Sequence, residues 1–384
     1  MRIALVHDYL REYGGAERVV EALHEIWPDA PLYTSFVDWK SLGSHAGRFR
    51  SWDIRTSWVQ KYPLIKRWIS PLRFLAPKIW ESFDLSGYDV VLTSSGWFIP
   101  RGVIVKKPAV HICYIHHPPR NLYGYATGSD LTKYWPVRVY AAIVNFFLRH
   151  YDFDTAQRVD YFIANSRETA RRVKKFYRRE STVIYPPIRS DDDAGKRRSD
   201  DEKGTSSPRR TVAPSQYFLC VGRLTYAKRI DIAIEACNTL KVPLKIVGVG
   251  KEEKYLRSIA GPTVEFLGAV SDAELGDLYR GAKALIFSAL DEDFGMVPVE
   301  AMAKGTPVIA LKQGGVMETV TDGKTGVFFD KPEKEACMSA IQRFSELSKT
   351  KQWEDDCLKG ALQFDKKIFQ QKISEFIRIH GVRD

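Results

Sequence analysis

Two glutamates eight residues apart, Glu292 and Glu300, bracket the stretch EDFGMVPVE. The apolar run ALIFSAL before them and the run MVPVEAMAK, which ends at Gly305 ahead of PVIAL, predict a strand-end loop at Glu292 and a helix carrying Glu300. The N-terminus of such a helix presents backbone N–H groups that can hold a diphosphate. Glu300, one or two turns inside, is then a bidentate acceptor for two ribose hydroxyls, and Glu292 is placed to reach the hydroxyls of an attached sugar. A glycine pair, Gly14-Gly15, follows the first apolar run IALV and opens a helical pattern, so its amides can approach a phosphate or sugar closely. His116 ends the run HICYI, with His117 beside it as the competing imidazole. Other motifs fail on spacing. Gly248-Val249-Gly250 has Glu253 where a dinucleotide fingerprint needs its third glycine, and Asp322-Gly323-Lys324-Thr325 has Glu318 where a P-loop needs its first.

Those residues require elements to hold them, and the chain supplies βα alternation twice. DVVLTSS, HICYIHH, YFIANS and TVIYPP follow IALV in the first half, and YFLCVG, LKIVGVG, VEFLGAV, ALIFSAL, PVIAL and GVFF fill the second. At 384 residues and 44% hydrophobic content, two parallel-sheet domains are expected rather than one core. The predicted boundaries are 1–189, a charged flexible linker over 190–214, 215–363, and a closing amphipathic helix over 364–384 with apolar residues at Phe364, Ile368, Phe369, Ile373, Phe376 and Ile377. The five cysteines are scattered and form no CxxC pair, which fits a reducing compartment. MRIALVHDYL is too short an apolar run for a signal peptide, and Tyr140 to Leu148 is too short to span a bilayer.

Charge is uneven along the chain. Residues 1–190 hold 28 Lys and Arg against 17 Asp and Glu, while the remainder holds 30 against 30, so the whole net charge of +11 belongs to the first half. Between Gly47 and Trp80, eight cations (Arg48, Arg50, Arg55, Lys61, Lys66, Arg67, Arg73 and Lys78) interleave with Trp52, Trp58, Trp68, Phe74 and Trp80. That mixture suits either an anionic membrane surface or a solvated face over partly buried aromatics; no nucleic-acid-binding module accompanies it.

The Glu-x7-Glu block, together with Gly222-Arg223-Leu224-Thr225-Tyr226-Ala227-Lys228 after the run YFLCV, closely resembles the retaining GT-B glycosyltransferases of the family 4 type. GGAE, ICYIHHPPR, YFIANS, VIYPP, EFLGAVSD and GGVMETV occur in that family's order, so the resemblance covers nearly the whole chain. It implies an α/β fold of two Rossmann-like domains facing a central cleft, the first binding the acceptor and the second the nucleotide sugar. HDYL…GGAERV, HICY, ANSR and VIYPP are most similar to the bacterial mannosyltransferase branch that builds lipid-linked cell-surface polysaccharide. The 190–214 insertion and His117-Pro118-Pro119 depart from its pattern.

By resemblance, His116, Arg223, Lys228 and Glu292 are the catalytic residues. The donor contacts are Gly14, Gly15, Gly222, Arg223, Lys228, Val270, Gly295, Met296, Val297 and Glu300, with the base near Gly268 to Ser271. Arg223 and Lys228 would neutralise the leaving diphosphate as a fork and a point charge, so no metal is required and Asp291-Glu292-Asp293 is read as non-metallic. The implied donor is GDP-mannose, with a UDP-sugar as the alternative, and the implied acceptor is a lipid-linked sugar or an oligosaccharide. The implied location is cytoplasmic, peripheral on the inner face of the membrane. A nucleotide-sugar epimerase would share the phosphate cradle without the Arg-x4-Lys and Glu-x7-Glu pairing, and a silent scaffold would have lost these residues.

Overall fold

A computed structural model describes residues 1–126, 134–188 and 217–381, so the expected 190–214 linker lies outside the described residues. The chain divides into two compact units: Met1–Tyr125, Leu131–Pro187 and Lys366–Asp384 form the first, and Ala126–Asp130 with Ile188–Asp365 form the second.

In the first unit, seven parallel strands are β1 (Ile3–His7), β2 (Leu32–Thr34), β3 (Ile54–Thr56), β4 (Val90–Ser95), β5 (Val110–Ile115), β6 (Tyr161–Ala164) and β7 (Thr182–Val183). Their spatial order is β3-β2-β1-β4-β5-β6-β7. The period of two along β1 shows how this sheet is covered. Ile3 and Leu5 join one apolar layer with Val20, Leu23 and Leu92, whereas Ala4 and Val6 join the other with Val91, Trp80 and Phe98. Both faces are dry, which is why the strands are apolar throughout rather than alternating. β2 and β3, three residues each, were too short for the sequence pattern to announce.

Helix α1 (Gly15–Ile26) buries Val19, Val20, Ala22 and Leu23 on one layer. Helix α2 (Trp135–Arg158) is anchored by Asp152, whose buried carboxylate pairs with the Arg101 guanidinium and accepts from the Tyr123 hydroxyl at 2.7 Å. Helix α3 (Arg167–Tyr177) starts at a Ser166 cap, where Oγ accepts the Thr169 N–H at 2.9 Å.

The second unit repeats the arrangement with β8 (Tyr217–Val221), β9 (Leu244–Val247), β10 (Val264–Gly268), β11 (Ala282–Phe287), β12 (Val308–Leu311) and β13 (Gly326–Phe329). All are parallel, in the order β10-β9-β8-β11-β12-β13. Helix α4 (Asp272–Arg280) precedes β11, and helix α5 (Met296–Met302) follows it.

The closing helix α6 runs from Lys366 to His380 and belongs to the first unit. Phe369, Ile373, Phe376 and Ile377 enter the core beside α1, each contributing ~1.5–3 kcal/mol on full burial. Lys366 Nζ pairs with Glu25 at 3.0 Å and Gln370 donates to the Ala22 carbonyl at 3.2 Å. Phe364 is corrected: it ends the 3-10 turn Leu362–Phe364 and meets Phe294 of the second unit edge-on at 5.4 Å, so its place in the helical spacing was coincidence.

Candidate functional site

In an open parallel sheet, ligands bind beyond the carboxyl ends of the strands where the winding reverses. That point lies between β8 and β11 in the second unit, and the expected donor residues gather there. Arg223 and Lys228 follow β8, and Glu292 follows β11. Lys228 Nζ and Glu292 Oε2 form an ion pair at 2.7 Å, with the side chains 23% and 18% exposed. Arg223 is exposed on the same loop.

Backbone contacts fix both loops. Leu290 N–H donates to the Ala227 carbonyl at 2.8 Å, and Ser288 Oγ donates to the carbonyls of Lys228 at 3.1 Å and Arg229 at 2.7 Å. Gly315 N–H donates to the Glu292 carbonyl at 2.9 Å. Gly314 has φ +72°, and a Cβ there would overlap the Glu292 carbonyl oxygen, so only glycine allows this approach. Gly222 N–H bonds to Val247 O at 3.0 Å, which ties the β8 loop to the end of β9.

Glu300 sits inside α5, and its Oε2 accepts from the Tyr279 hydroxyl at 3.1 Å. Gly295 caps that helix with φ +86°, followed by the half-buried Met296 and Val297. At seven residues α5 is a short helix. Val270 lies in the loop between β10 and α4, where Ser271 N–H is taken by Glu274 Oε2 at 2.8 Å in a capping box; that amide serves the helix. The acidic triplet has separate partners, Asp291 accepting from Gln313 Nε2 at 3.2 Å and Glu292 pairing with Lys228. Among the described residues, no group of three His, Cys, Asp or Glu is arranged to hold a metal.

In the first unit the equivalent reversal lies between β1 and β4. Gly14 caps α1, with its N–H donating to Glu17 Oε2 at 2.8 Å, and Gly15 is the first helical residue. The other Glu17 oxygen lies 3.4 Å from His7 Nε2. His7 Nδ1 lies 3.1 Å from Ser94 Oγ, which in turn lies 2.8 Å from His116 Nε2. Burial, then the neighbouring His7 and His117, holds His116 well below the ordinary imidazole pKa, so it is neutral. Burial also pushes the Asp8 carboxyl up to about 6 against the pull of His7. Sequence reasoning singled out His116 but not His7, Ser94 or Tyr279, which the structure places beside the expected residues; the polar Ser94 at the end of the run DVVLTSS was the available signal.

The basic aromatic segment proves composite. Arg48 pairs with Glu21 at 3.2 Å, Arg55 with Asp53 at 2.8 Å, Trp80 is fully buried, and Trp52 stacks on His24 at 3.7 Å. Lys61, Leu64, Arg67, Trp68 and Phe74 are exposed. Arg73 Nη2 donates to Asn145 at 2.9 Å, and the Tyr140 hydroxyl donates to the Pro71 carbonyl, docking this stretch on α2. The outer face of α2 adds exposed Trp135, Val139, Ile143, Phe146 and Phe147, and Arg138 and Arg149 are exposed on the same helix. Among the described residues, no helix is long and apolar enough to cross a membrane.

Residues 13–192 match the family model described as Glycosyltransferase Family 4, and residues 207–355 match Glycosyl transferases group 1. MJ1607 of Methanocaldococcus jannaschii, an uncharacterized glycosyltransferase, is 36% identical over 119 residues, covering 29% of this chain and 30% of that protein. The mannosylfructose-phosphate synthase of Agrobacterium fabrum is 37% identical over 135 residues, 30% of each chain. This chain therefore spans about a third of the length of these curated relatives. The crystal structure of Anabaena HepE in complex with UDP superimposes with a TM-score of 0.67 over 99% of this chain and all of that one, at 20% identity. With both family models in chain order on two doubly wound parallel sheets, the chain belongs to the GT-B glycosyltransferases of the family 4 type.

Proposed function

We propose that this chain transfers a hexose, with retention, from a nucleotide-diphosphate sugar to a hydroxyl of a lipid-linked or oligosaccharide acceptor. The observation that carries the reading is the Lys228–Glu292 pair on adjacent strand ends at the point where the second sheet reverses. Lys228 and Arg223 meet the diphosphate, whose negative charge grows as the glycosidic bond breaks. Glu292 takes sugar hydroxyls, and Glu300 takes the ribose hydroxyls while Tyr279 holds one of its oxygens. His116 is assigned to the reacting sugar. The departing diphosphate assists deprotonation of the acceptor hydroxyl, and the protein supplies position and charge stabilisation.

Mannose from GDP-mannose is the donor we favour, supported by the likeness to mannosylfructose-phosphate synthase. A UDP-sugar is the second reading, supported by the UDP held in HepE. Purified protein incubated with a panel of GDP- and UDP-sugars should release one nucleotide; release of none, with or without acceptor, would overturn the reading.

The acceptor class is supported by the joint surface of α2 and residues 61–74. Exposed indoles and aliphatics together with exposed cations fit the headgroup region of an anionic bilayer, each cation adding ~1 kcal/mol. Binding should favour anionic over neutral vesicles and weaken when Lys61, Lys66 and Arg67 become Glu. Indifference to lipid charge, or no binding, would instead favour a soluble acceptor.

A further inference from the structure

The chain Glu17–His7–Ser94–His116 crosses the carboxyl ends of β1, β4 and β5, and each of its members is buried. We propose that the charge on His7 sets the tautomer of His116 through the Ser94 hydroxyl, which makes His7 and Ser94 positioning residues for the ring nitrogen that His116 presents. The proposal rests on the glycosyltransfer reading only for what that nitrogen does to a sugar.

The argument is a count of protons. A carboxylate only accepts, so His7 Nε2 carries its proton toward Glu17. Ser94 has one hydroxyl proton and two imidazole nitrogens to serve, at 3.1 Å and 2.8 Å. With His7 neutral, its Nδ1 is a lone pair and takes the Ser94 proton. Ser94 Oγ then accepts from His116 Nε2–H, and His116 Nδ1 is left as an acceptor. With His7 protonated, Nδ1–H donates to Ser94, and the hydroxyl turns to donate to His116 Nε2. The single proton of neutral His116 then sits on Nδ1, which becomes a donor. One proton added at His7 thus reverses both hydrogen bonds without charging His116.

The surroundings favour the charged form of His7. Burial opposes it, but the Glu17 hydrogen bond and the charges of Glu17 and Asp8 overcome that cost, and the His7 pKa is raised. The groups facing His7 are Glu17 from α1, Asp8 from its own strand end, Ser94 from β4, and His116 from the end of β5, which in turn feels His117. Asp8 titrates near about 6, so as pH rises it ionises and helps to retain the His7 proton. The sign follows: His116 Nδ1 is a donor below the raised His7 pKa and turns into an acceptor as pH rises through it.

The test is a titration of the full chain labelled with 15N-histidine, from about pH 5 to about pH 9, following both ring nitrogens of His7 and His116. His116 should pass from the Nδ1–H to the Nε2–H tautomer with the His7 midpoint. A His116 tautomer that stays constant while His7 titrates overturns the proposal. Ser94→Ala should leave His7 titrating and His116 unresponsive. Should that variant not fold, Glu17→Gln lowers the His7 midpoint, and the His116 switch must shift with it; a switch that stays put sinks the idea. In kinetics, the kcat profile should inflect at the His7 midpoint and lose that inflection in Ser94→Ala, whereas a merely structural role would lower turnover equally at every pH. Coupled tautomers without any sugar-nucleotide turnover would leave the relay standing and remove the functional reading; turnover without coupling would do the reverse.

Discussion

The two units wind their sheets in the same order about the reversal point, β2-β1-β4-β5 in one and β9-β8-β11-β12 in the other, yet they fill that point with opposite chemistry. The first holds a buried hydrogen-bonded chain that ends on a neutral imidazole. The second holds a partly exposed ion pair whose loops are fixed by backbone contact through Gly222, Gly314 and Gly315. Desolvation explains the contrast, because a buried charge persists only beside a partner, as His7 does beside Glu17, while the more deeply desolvated His116 stays neutral. A partly solvated cation keeps its charge and can exchange one anionic partner for another at little cost. The fold provides two similar platforms, and the loops decide what chemistry each presents.

Lys228→Ala should break this contrast most severely. If Lys228 meets the developing negative charge as proposed, its removal should lower kcat by ~10²–10³, about 2.7–4 kcal/mol, and it also removes the 2.7 Å ion pair with Glu292. Turnover close to that of the unaltered protein would take Lys228 off the catalytic list. The next largest effect tests the buried platform. Asp8 has its pKa raised from 3.8 to about 6, so its neutral form is favoured by folding. Its contribution to stability is complete below the unfolded value and is lost as pH rises through about 6, a change of ~3 kcal/mol. Asp8→Asn should flatten the pH dependence of urea unfolding across that window. An unchanged slope would show that the carboxyl is better solvated than its burial implies.

Glu300→Ala sharpens the other side of the comparison. Lost ribose hydrogen bonds cost ~1–3 kcal/mol, which calorimetry should read as a roughly 5- to 150-fold weaker nucleotide affinity. Unchanged affinity would end the ribose assignment.

What the sequence disclosed follows from what is local. Apolar runs such as ALIF and HICYI become strands because their neighbours on both faces are helices, and the EDFGMVPVE block placed Glu292 in a loop and Glu300 in a helix through its own glycine and helix formers. Relations made by strand pairing were hidden. Val6 pairs with Thr93 and His7 with Ser94 only through the β1–β4 register, across 87 residues of chain, so no spacing rule could join His7 to His116. Tyr279 was hidden for the same reason: it lies near the end of a helix 21 residues before Glu300, with β11 between them in the chain. The basic aromatic segment misled in part because spacing cannot distinguish Trp68, which faces solvent, from Trp80, which is core.

The smallest expected effect is the most discriminating about how the donor carboxylate is held. Tyr279 is buried, its carbonyl accepts from Thr306 Oγ1 at 2.5 Å, and its hydroxyl donates to Glu300 Oε2 at 3.1 Å. Tyr279→Phe keeps the ring and the carbonyl contact and removes only that donor, so the fold should be little disturbed and its thermal transition should stay within a few degrees. One neutral-to-charged hydrogen bond is worth ~1.5–3 kcal/mol at most, and solvent reaching the half-buried Glu300 will offset part of it. Nucleotide affinity should therefore fall by about threefold to tenfold, less than in Glu300→Ala. In the double variant, Tyr279→Phe should add almost nothing to Glu300→Ala, because the hydroxyl acts through the carboxylate. Additive losses would mean that Tyr279 touches the nucleotide itself.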